Sequence, residues 1–232
     1  MFGIIGAMQV EIDGLLAKMD RISTEIIAGM DFHIGKFNGA DVVVAKCRVG
    51  KVNAAMCAQA MIDRFSINSL INLGVAGGLL SSLKIGDVVV SQDLVQHDVD
   101  ACAFGYKIGE IPGLVLSSFP ANEKMIETAI GICLEVLAEN GNDAKVGRIA
   151  TGDQFVTDKI VKKHILDTFG AYCVEMEGAA IAQVCYLNKI PFVAIRAISD
   201  NADGSAEEDF LNFVERAAQN SSKIVERLIG LM

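Results

Sequence analysis

Short runs of β-branched and other apolar residues alternate along the chain with segments in which apolar residues recur every three or four positions. The short runs predict strands at about Phe2–Ala7, Asp31–Phe37, Asp41–Lys46, Ser69–Leu73, Asp87–Gln96, Lys145–Ala150, Ala171–Val174 and Phe192–Ser199. The periodic segments predict helices at about Gln9–Met19, Lys51–Phe65, Glu123–Asn140, Asp158–Phe169, Gly178–Leu187 and from Glu207 onward. This alternation is typical of an α/β fold around a largely buried sheet. No linker interrupts it, so residues 1–232 are predicted to form a single domain.

Glycines accompany the predicted strand ends, most densely in Asn72-Leu-Gly-Val-Ala-Gly-Gly. Tight turns after strands bring the backbone close to a ligand in the crevice at the carboxyl edge of an α/β sheet. We therefore expect the ligand site at this edge, although each glycine alone is equally explained by a tight turn. None of them fits the glycine pattern of a dinucleotide or nucleoside-triphosphate site.

Composition and charge narrow the function classes. The chain has 232 residues, 52% of them hydrophobic, which suits one substantial core. No apolar run approaches the ~20 residues that span a bilayer, and the acidic start does not resemble a secretory signal, so we expect a cytoplasmic protein without membrane contact. A net charge of −9 argues against nucleic-acid binding.

The cysteines and histidines give no metal-ligand pattern. The six cysteines are scattered and predicted to be free thiols. Only His97 with Asp98 and Asp100 could suggest a metal site, and one imidazole beside two carboxylates in a single segment is a weak signal. We predict neither a metal nor a cofactor.

Acidic residues interrupt apolar contexts at three predicted strand ends. Glu11 lies in the first turn of the first helix, where the helix dipole favours a carboxylate that could act as a base. Glu175 and Glu177 flank Met176, and we expect one of the two to point into the crevice. Asp200 ends a predicted strand, on one face with Arg196. A solvent-facing helix charge, a helix N-terminal charge cluster and a structural Arg–Asp pair are the respective alternatives.

Six segments together resemble 5′-methylthioadenosine/S-adenosylhomocysteine nucleosidases, a family of the nucleoside phosphorylase superfamily. They are Gly3-Ile-Ile-Gly-Ala-Met, Gly74-Val-Ala-Gly-Gly, His97-Asp-Val-Asp-Ala-Cys-Ala-Phe-Gly-Tyr, Thr151-Gly-Asp-Gln-Phe, Val174-Glu-Met-Glu and Arg196-Ala-Ile-Ser-Asp. Each is weak alone, but all six occur in order from the first strand to the last helix. The resemblance implies a three-layer nucleoside-phosphorylase-like fold with a central mixed twisted sheet flanked by helices. It also implies a cytoplasmic homodimer that acts in methionine salvage.

The resemblance also implies the chemistry. Asp200, with Ser199 beside it, resembles the general acid that protonates N7 of adenine. Glu11 resembles the base that deprotonates the attacking water, and Arg196 lies where the family arranges the surroundings of that water. Glu177 resembles the acceptor of the ribose diol. Anionic Glu11 and Glu177 would stabilise an oxocarbenium-like transition state.

The remaining substrate contacts come from the same resemblance. Adenine is expected to stack near Phe155 and to meet the backbone of Val156, and the Met176 backbone is expected to assist at the ribose. The 5′-thio group is expected in an apolar pocket that Phe104 and Pro112 of the partner subunit close. The other residues assigned to the pocket are Met8, Val49, Val75, Ala76, Gly77, Glu175 and Phe210. Core packing is the alternative role for the apolar residues among them.

One departure and three alternatives accompany this hypothesis. Val75 stands where many members of the family have serine, so a hydroxyl contact is missing. A phosphate-dependent purine nucleoside phosphorylase is the nearest alternative, but no Lys or Arg lies between Phe2 and Leu16 to capture phosphate. The second alternative is a related adenine-releasing hydrolase that acts on aminofutalosine. The third is a non-catalytic nucleoside-binding protein.

Overall fold

A computed structural model describes residues 1–138, 141–203 and 205–231. The strands are β1 Phe2–Gly6, β2 Asp20–Ile27, β3 Met30–Phe37, β4 Ala40–Lys46, β5 Ser69–Gly78, β6 Val88–Gln96, β7 Ser118–Pro120, β8 Ala144–Thr151, β9 Cys173–Glu175 and β10 Phe192–Asp200. The helices are α1 Gln9–Leu16, α2 Lys51–Phe65, α3 Glu123–Leu137, α4 Lys159–Phe169, α5 Gly178–Asn188 and α6 Ala206–Leu231. Residues 139 and 140, the predicted end of α3, lie outside the described residues.

One mixed sheet joins the ten strands in the order β10-β6-β8-β9-β5-β1-β4-β3-β2, with β7 added to β6. Strand β10 also pairs with β5, so the five strands β5, β9, β8, β6 and β10 close on themselves like a small barrel. The pairings of β1 with β4 and β5 are parallel, and those of β3 with β2 and β4 are antiparallel. The predicted mixed sheet is confirmed.

Helices cover both faces of the sheet. Buried side chains of α2 and α5 join one apolar core, and those of α1, α3 and α6 join the core on the opposite face. The stripe on α6 packs into this second core through Ala217, Ile224, Val225 and Leu228. The three-layer α/β architecture is therefore confirmed, whereas the single-domain assignment of residues 1–232 remains a prediction.

The structure differs from the predicted elements at three strands: β2 and the three-residue β7 were not predicted, and β5 is longer than predicted. Strand β2 was not predicted because most of its residues are exposed, so it lacks the apolar run used to find strands; it pairs only with β3 at the sheet edge. Strand β5 continues through Gly74 and Gly77 to Gly78. The expectation of a turn after Leu73 was wrong, and the pocket explains why these glycines lie within a strand. Among the described residues, no helix is both long and apolar enough to cross a bilayer.

Candidate active site

A pocket of about 370 Å³ lies where β1, β5, β9 and β10 reach their carboxyl ends. This is the edge at which the sequence predicted a ligand site. Its walls contain Ala7, Met8, Glu11, Val49, Val75, Ala76, Gly77, Gln154, Phe155, Val156, Val174, Glu175, Met176, Glu177, Ser199, Asp200 and Phe210. Of the predicted site residues, Arg196, Phe104 and Pro112 are not on these walls. Ala7, Gln154 and Val174 were not predicted as site residues, although each lies within one of the six segments that carry the resemblance.

Glu11 is held on the pocket wall by three backbone N–H groups. Its Oε2 accepts hydrogen bonds from Ala7 (2.7 Å) and Met8 (2.9 Å), and its Oε1 accepts one from Val75 (3.1 Å). The side chain is 2% exposed. Burial raises the pKa of Glu11, while the N–H donors and the charge of Arg196 oppose the rise. Glu11 is therefore a fixed carboxyl group with enhanced basicity.

Two glycines of β5, Gly74 and Gly77, leave room for the carboxyl groups of Glu11 and Asp200. A Cβ on Gly74 would lie 2.7 Å from Glu11 Oε1, and a Cβ on Gly77 would lie 2.8 Å from Asp200 Oδ1. Any other residue would displace these carboxyl groups or itself be displaced. The glycines thus serve close side-chain approach within β5, instead of the predicted turn.

Asp200 reaches the pocket at the end of β10. It is 2% exposed; its Oδ1 accepts a hydrogen bond from the Ala202 N–H (2.8 Å) and its Oδ2 accepts one from Ser199 Oγ (2.9 Å). Burial raises the pKa of Asp200 against these two donors. A raised pKa favours the protonated carboxyl group, which a general acid requires.

Glu175 and Arg196 form a buried ion pair. Arg196 Nη2 donates to Glu175 Oε2 at 2.7 Å, and Arg196 also donates to the side chain and carbonyl of Asn72. Glu175 accepts further bonds from Thr151 and from the N–H groups of Glu177 and Gly178 at the start of α5. Both oxygens of Glu175 and both terminal nitrogens of Arg196 thereby have protein partners, whereas Arg196 Nε has none among the described residues.

This pair rules out one alternative from the sequence, the structural Arg–Asp pair. Arg196 pairs with Glu175 and not with Asp200, because the β5–β10 register shifts between Ile198 and Asp200, so simple alternation does not extend to the strand end. Arg196 is not among the wall residues, but its charge lowers the pKa of Glu11; its expected role near the attacking water remains a prediction.

Glu177 is also buried, and one of its oxygens remains open to a ligand. Its Oε1 accepts a hydrogen bond from the Gly50 N–H at 2.8 Å, and its Oε2 has no hydrogen-bond partner among the described residues. Both Glu175 and Glu177 lie on the pocket wall, with the chain turning from β9 into α5 between them. Burial, followed by the charge of Glu175, raises the pKa of Glu177 to about 8.

Aromatic and apolar side chains form the rest of the wall. Phe155 and Phe210 meet edge to face with ring centroids 5.6 Å apart, and Phe155 is 48% exposed. The backbone N–H and carbonyl of Val156 have no partner among the described residues. This end of the pocket therefore offers an aromatic face, which suits a flat heterocycle.

Phe104 and Pro112 lie outside this pocket, in a surface segment that exposes apolar side chains. Phe104 is 84% and Val115 is 92% exposed. Isolated exposed apolar residues are ordinary, but several in one segment are typical of a contact surface. Their predicted entry into a partner's pocket remains a prediction.

The pocket walls described here carry no Lys, Arg or His side chain. Four carboxyl groups, those of Glu11, Glu175, Glu177 and Asp200, line them without a cation that could face a bound phosphate. Across the described residues there is no group of three or more His, Cys, Asp or Glu side chains that could hold a metal ion.

The closed mixed sheet and the acidic pocket define the class of protein. The sequence pattern of the phosphorylase superfamily matches residues 1–230, and the chain belongs to this superfamily.

Individual relatives identify the branch of the superfamily. A 5′-methylthioadenosine/S-adenosylhomocysteine nucleosidase of Geobacillus sp. (strain WCH70) is 43% identical over 230 residues, covering 98% of this chain and 97% of the relative. The nucleosidase of that name from Neisseria meningitidis, solved with methylthio-immucillin-A, has a TM-score of 0.94 and 37% identity over 100% of this chain and 99% of the other. A futalosine hydrolase of Helicobacter pylori has a TM-score of 0.92 and 36% identity, covering 100% and 97%. The resemblance found in the sequence is confirmed.

Proposed function

We propose that this chain hydrolyses the N-glycosidic bond of 5′-methylthioadenosine and S-adenosylhomocysteine, releasing adenine and the 5-thioribose product. The observation that carries the proposal is the presence of Glu11, Asp200 and Glu177 on the walls of one pocket. The two relatives named above as nucleosidases support the choice of substrate.

Asp200 acts on the leaving group. Its proton passes to N7 of adenine as the bond between N9 and C1′ breaks, and the bonding electron pair leaves with the base. Adenine therefore departs as a neutral molecule. The raised pKa of Asp200 supports a protonated form before reaction, and Ser199 Oγ at 2.9 Å supports a fixed orientation of the carboxyl group.

Glu11 acts on the water. As the water oxygen bonds to C1′, one water proton passes to the carboxylate of Glu11. The three backbone donors hold this carboxylate in place, so little reorganisation accompanies the transfer. On β5, the Val75 N–H donates to Glu11, and Gly77 pairs with Asp200 of β10. Val75 and Gly77 are two residues apart, which is about 7 Å along a strand. The base and the acid thus reach the pocket at neighbouring levels.

Glu177 binds the ribose. The oxygen left open, Oε2, is available to accept hydrogen bonds from the diol, assisted by the backbone at Met176. A cationic sugar in the transition state favours the ionised forms of Glu177 and Glu11, so their charges stabilise the transition state more than the ground state.

The 5′-thio substituent lies against the apolar residues Met8, Val49 and Phe210. In a homodimer, Phe104 and Pro112 of the partner subunit close this end of the pocket. The exposed apolar segment around Phe104 supports this assembly. A cytoplasmic enzyme of methionine salvage is the matching cellular role.

The test is product analysis with and without inorganic phosphate. We expect adenine and 5-methylthioribose from 5′-methylthioadenosine in the absence of phosphate, with oxygen-18 from labelled water at C1′. Strict phosphate dependence with a ribose-1-phosphate product would overturn hydrolysis in favour of phosphorolysis. The wall of the pocket without cationic side chains argues for water.

A second candidate substrate is aminofutalosine, another adenine nucleoside. The structural similarity to the futalosine hydrolase of Helicobacter pylori favours testing it. The catalytic groups would be the same, because adenine is again the leaving group. Comparison of kcat/KM for the candidate substrates decides which 5′ substituent the pocket prefers.

A further inference from the structure

A closed ring of hydrogen bonds beside the pocket joins three residues from separate segments: Lys51 at the start of α2, Asp98 after β6 and Asp153 after β8. Lys51 Nζ donates to Asp98 Oδ1 at 2.6 Å, the Asp153 N–H donates to Asp98 Oδ2 at 2.9 Å, and the Lys51 N–H donates to Asp153 Oδ1 at 2.8 Å. Each of the three residues thus contacts the other two. Among the described residues none of these side chains lines the pocket, so the mechanism above does not use them.

The ring is anchored to the protein interior. Lys51 Nζ also donates to Gln96 Oε1 at 3.1 Å, and Gln96 Nε2 donates to Gln183 Oε1 on α5 at 2.7 Å. The Lys51 and Asp98 side chains are 18% and 17% exposed. A partly buried ion pair with fixed neighbours holds its geometry better than an exposed one, which contributes little. Burial alone would raise the pKa of Asp98, but Lys51 and the Asp153 N–H together lower it, which favours the carboxylate form of Asp98.

One side of the ring controls the group that orients Glu177. Lys51 follows Gly50, whose N–H donates to Glu177 Oε1 at 2.8 Å. Gly50 has φ = 99°, a conformation that favours glycine, and a Cβ there would lie 3.2 Å from Asp153 Oδ1. The Gly50 turn is therefore held against Asp153 while it presents its N–H to Glu177.

The other side of the ring leads into the purine end of the pocket. Asp153 directly precedes Gln154, Phe155 and Val156, which line the wall. The ring consequently fixes the turn that holds Glu177 relative to the loop expected to hold adenine. Among the described residues, the bond from the Lys51 N–H to Asp153 Oδ1 is the one hydrogen bond that joins these two loops directly.

We propose that the Lys51–Asp98–Asp153 ring is a positioning device that holds Glu177 for the ribose diol through the Gly50 N–H. The inference rests on the proposed function, since it assigns Glu177 to the diol. Lys51, Asp98 and Asp153 are positioning residues here and touch no reacting atom. Without the ring, the Gly50 turn relaxes and the carboxylate of Glu177 loses its fixed orientation.

The experiment compares 5′-methylthioadenosine with its 2′-deoxy and 3′-deoxy analogues in Lys51→Met and Asp98→Asn variants of the full chain. Loss of alignment costs about 10- to 100-fold in kcat/KM for the nucleoside with a complete diol. The analogues lack part of what Glu177 binds, so we expect their losses to be smaller by at least about threefold. Where an analogue turns over too slowly, its inhibition constant is compared in its place.

Two controls separate positioning from general damage. Asp93→Asn breaks the ion pair of Asp93 with Arg148 (2.6 Å), which is also partly buried but lies outside the pocket; it should leave the ratio between substrates unchanged. Lys51→Arg keeps the cation and should restore part of the preference lost in Lys51→Met.

Equal losses for all three nucleosides in both ring variants would overturn the proposal and leave only a structural role. A variant that fails to fold is replaced by the other, because Asp98→Asn keeps the side-chain size. If the unaltered chain releases no adenine from any of these nucleosides, the proposed function itself fails, which is a separate outcome.

Discussion

Substitution of Asp200 by Asn tests the general acid with little change in structure. The Asn Oδ1 can keep the 2.8 Å hydrogen bond from the Ala202 N–H. Its Nδ2 can donate to Ser199 Oγ, which then turns its own hydrogen toward the Ala76 carbonyl, 3.4 Å away. The two hydrogen-bond contacts survive, and only the transferable proton is lost.

The loss of that proton sets the expected magnitude. General acid catalysis contributes about 10²- to 10⁴-fold, which is about 2.7–5.4 kcal/mol of transition-state stabilisation. Stability should move in the opposite direction. Because burial raises the pKa of Asp200 in the folded chain, ionisation costs the folded state stability as the pH rises through the folded pKa. The neutral Asn avoids this cost, so its melting temperature at pH 7 should equal or exceed that of the unaltered chain.

The assay combines single-turnover adenine release with binding of a 5′-methylthioadenosine analogue and thermal melts at pH 4 and pH 7. We expect slow turnover, retained binding and a stability gain that shrinks toward pH 4, because the unfolded carboxyl group, with its ordinary pKa of 3.8, becomes partly protonated there as well. The matched control is Asp203→Asn on the same loop, whose carboxylate caps Ser205 outside the pocket; it should retain activity. Unchanged turnover in Asp200→Asn would refute the assignment of the acid.

Further predictions concern the base, the diol acceptor and the glycine of β5. Glu11→Gln places an amide NH₂ group against at least one backbone N–H, so kcat should fall by about 10²- to 10⁴-fold; normal turnover would remove Glu11 from the mechanism. Glu177→Gln removes an acid whose pKa rises from 4.5 to about 8 on folding, so its melting temperature relative to the unaltered chain should increase between pH 4.5 and pH 8, and a difference independent of pH would contradict the raised pKa. Gly74→Ala places a methyl group 2.7 Å from Glu11 Oε1 and should lower kcat by about 10- to 100-fold. Gly131→Ala, in open space on α3, should instead raise the unfolding free energy by up to about 1 kcal/mol; equal behaviour of the two alanine variants would argue against crowding at Glu11.

The roles of Glu175 and Glu177 illustrate the limit of sequence reasoning. Both acids stand in one apolar segment, and nothing local separates them. The structure assigns Glu175 to Arg196, Thr151 and the first N–H groups of α5, and leaves one oxygen of Glu177 open. Arg196 lies on another strand and Gly50 on another loop, so the distinction depends on long-range contacts that no spacing in the sequence encodes.

Local pattern by itself determined much of this protein. The apolar periodicities identified the six helices and most strands, and the acids and glycines at strand ends located the pocket, because side-chain alternation and helical repeat act over a few residues. Tertiary structure alone decided how the sheet closes through β5 and β10, where β10 shifts its register, and why Gly74 and Gly77 belong inside a strand. These features depend on which distant side chain approaches each backbone position, and that is fixed only when the elements pack together.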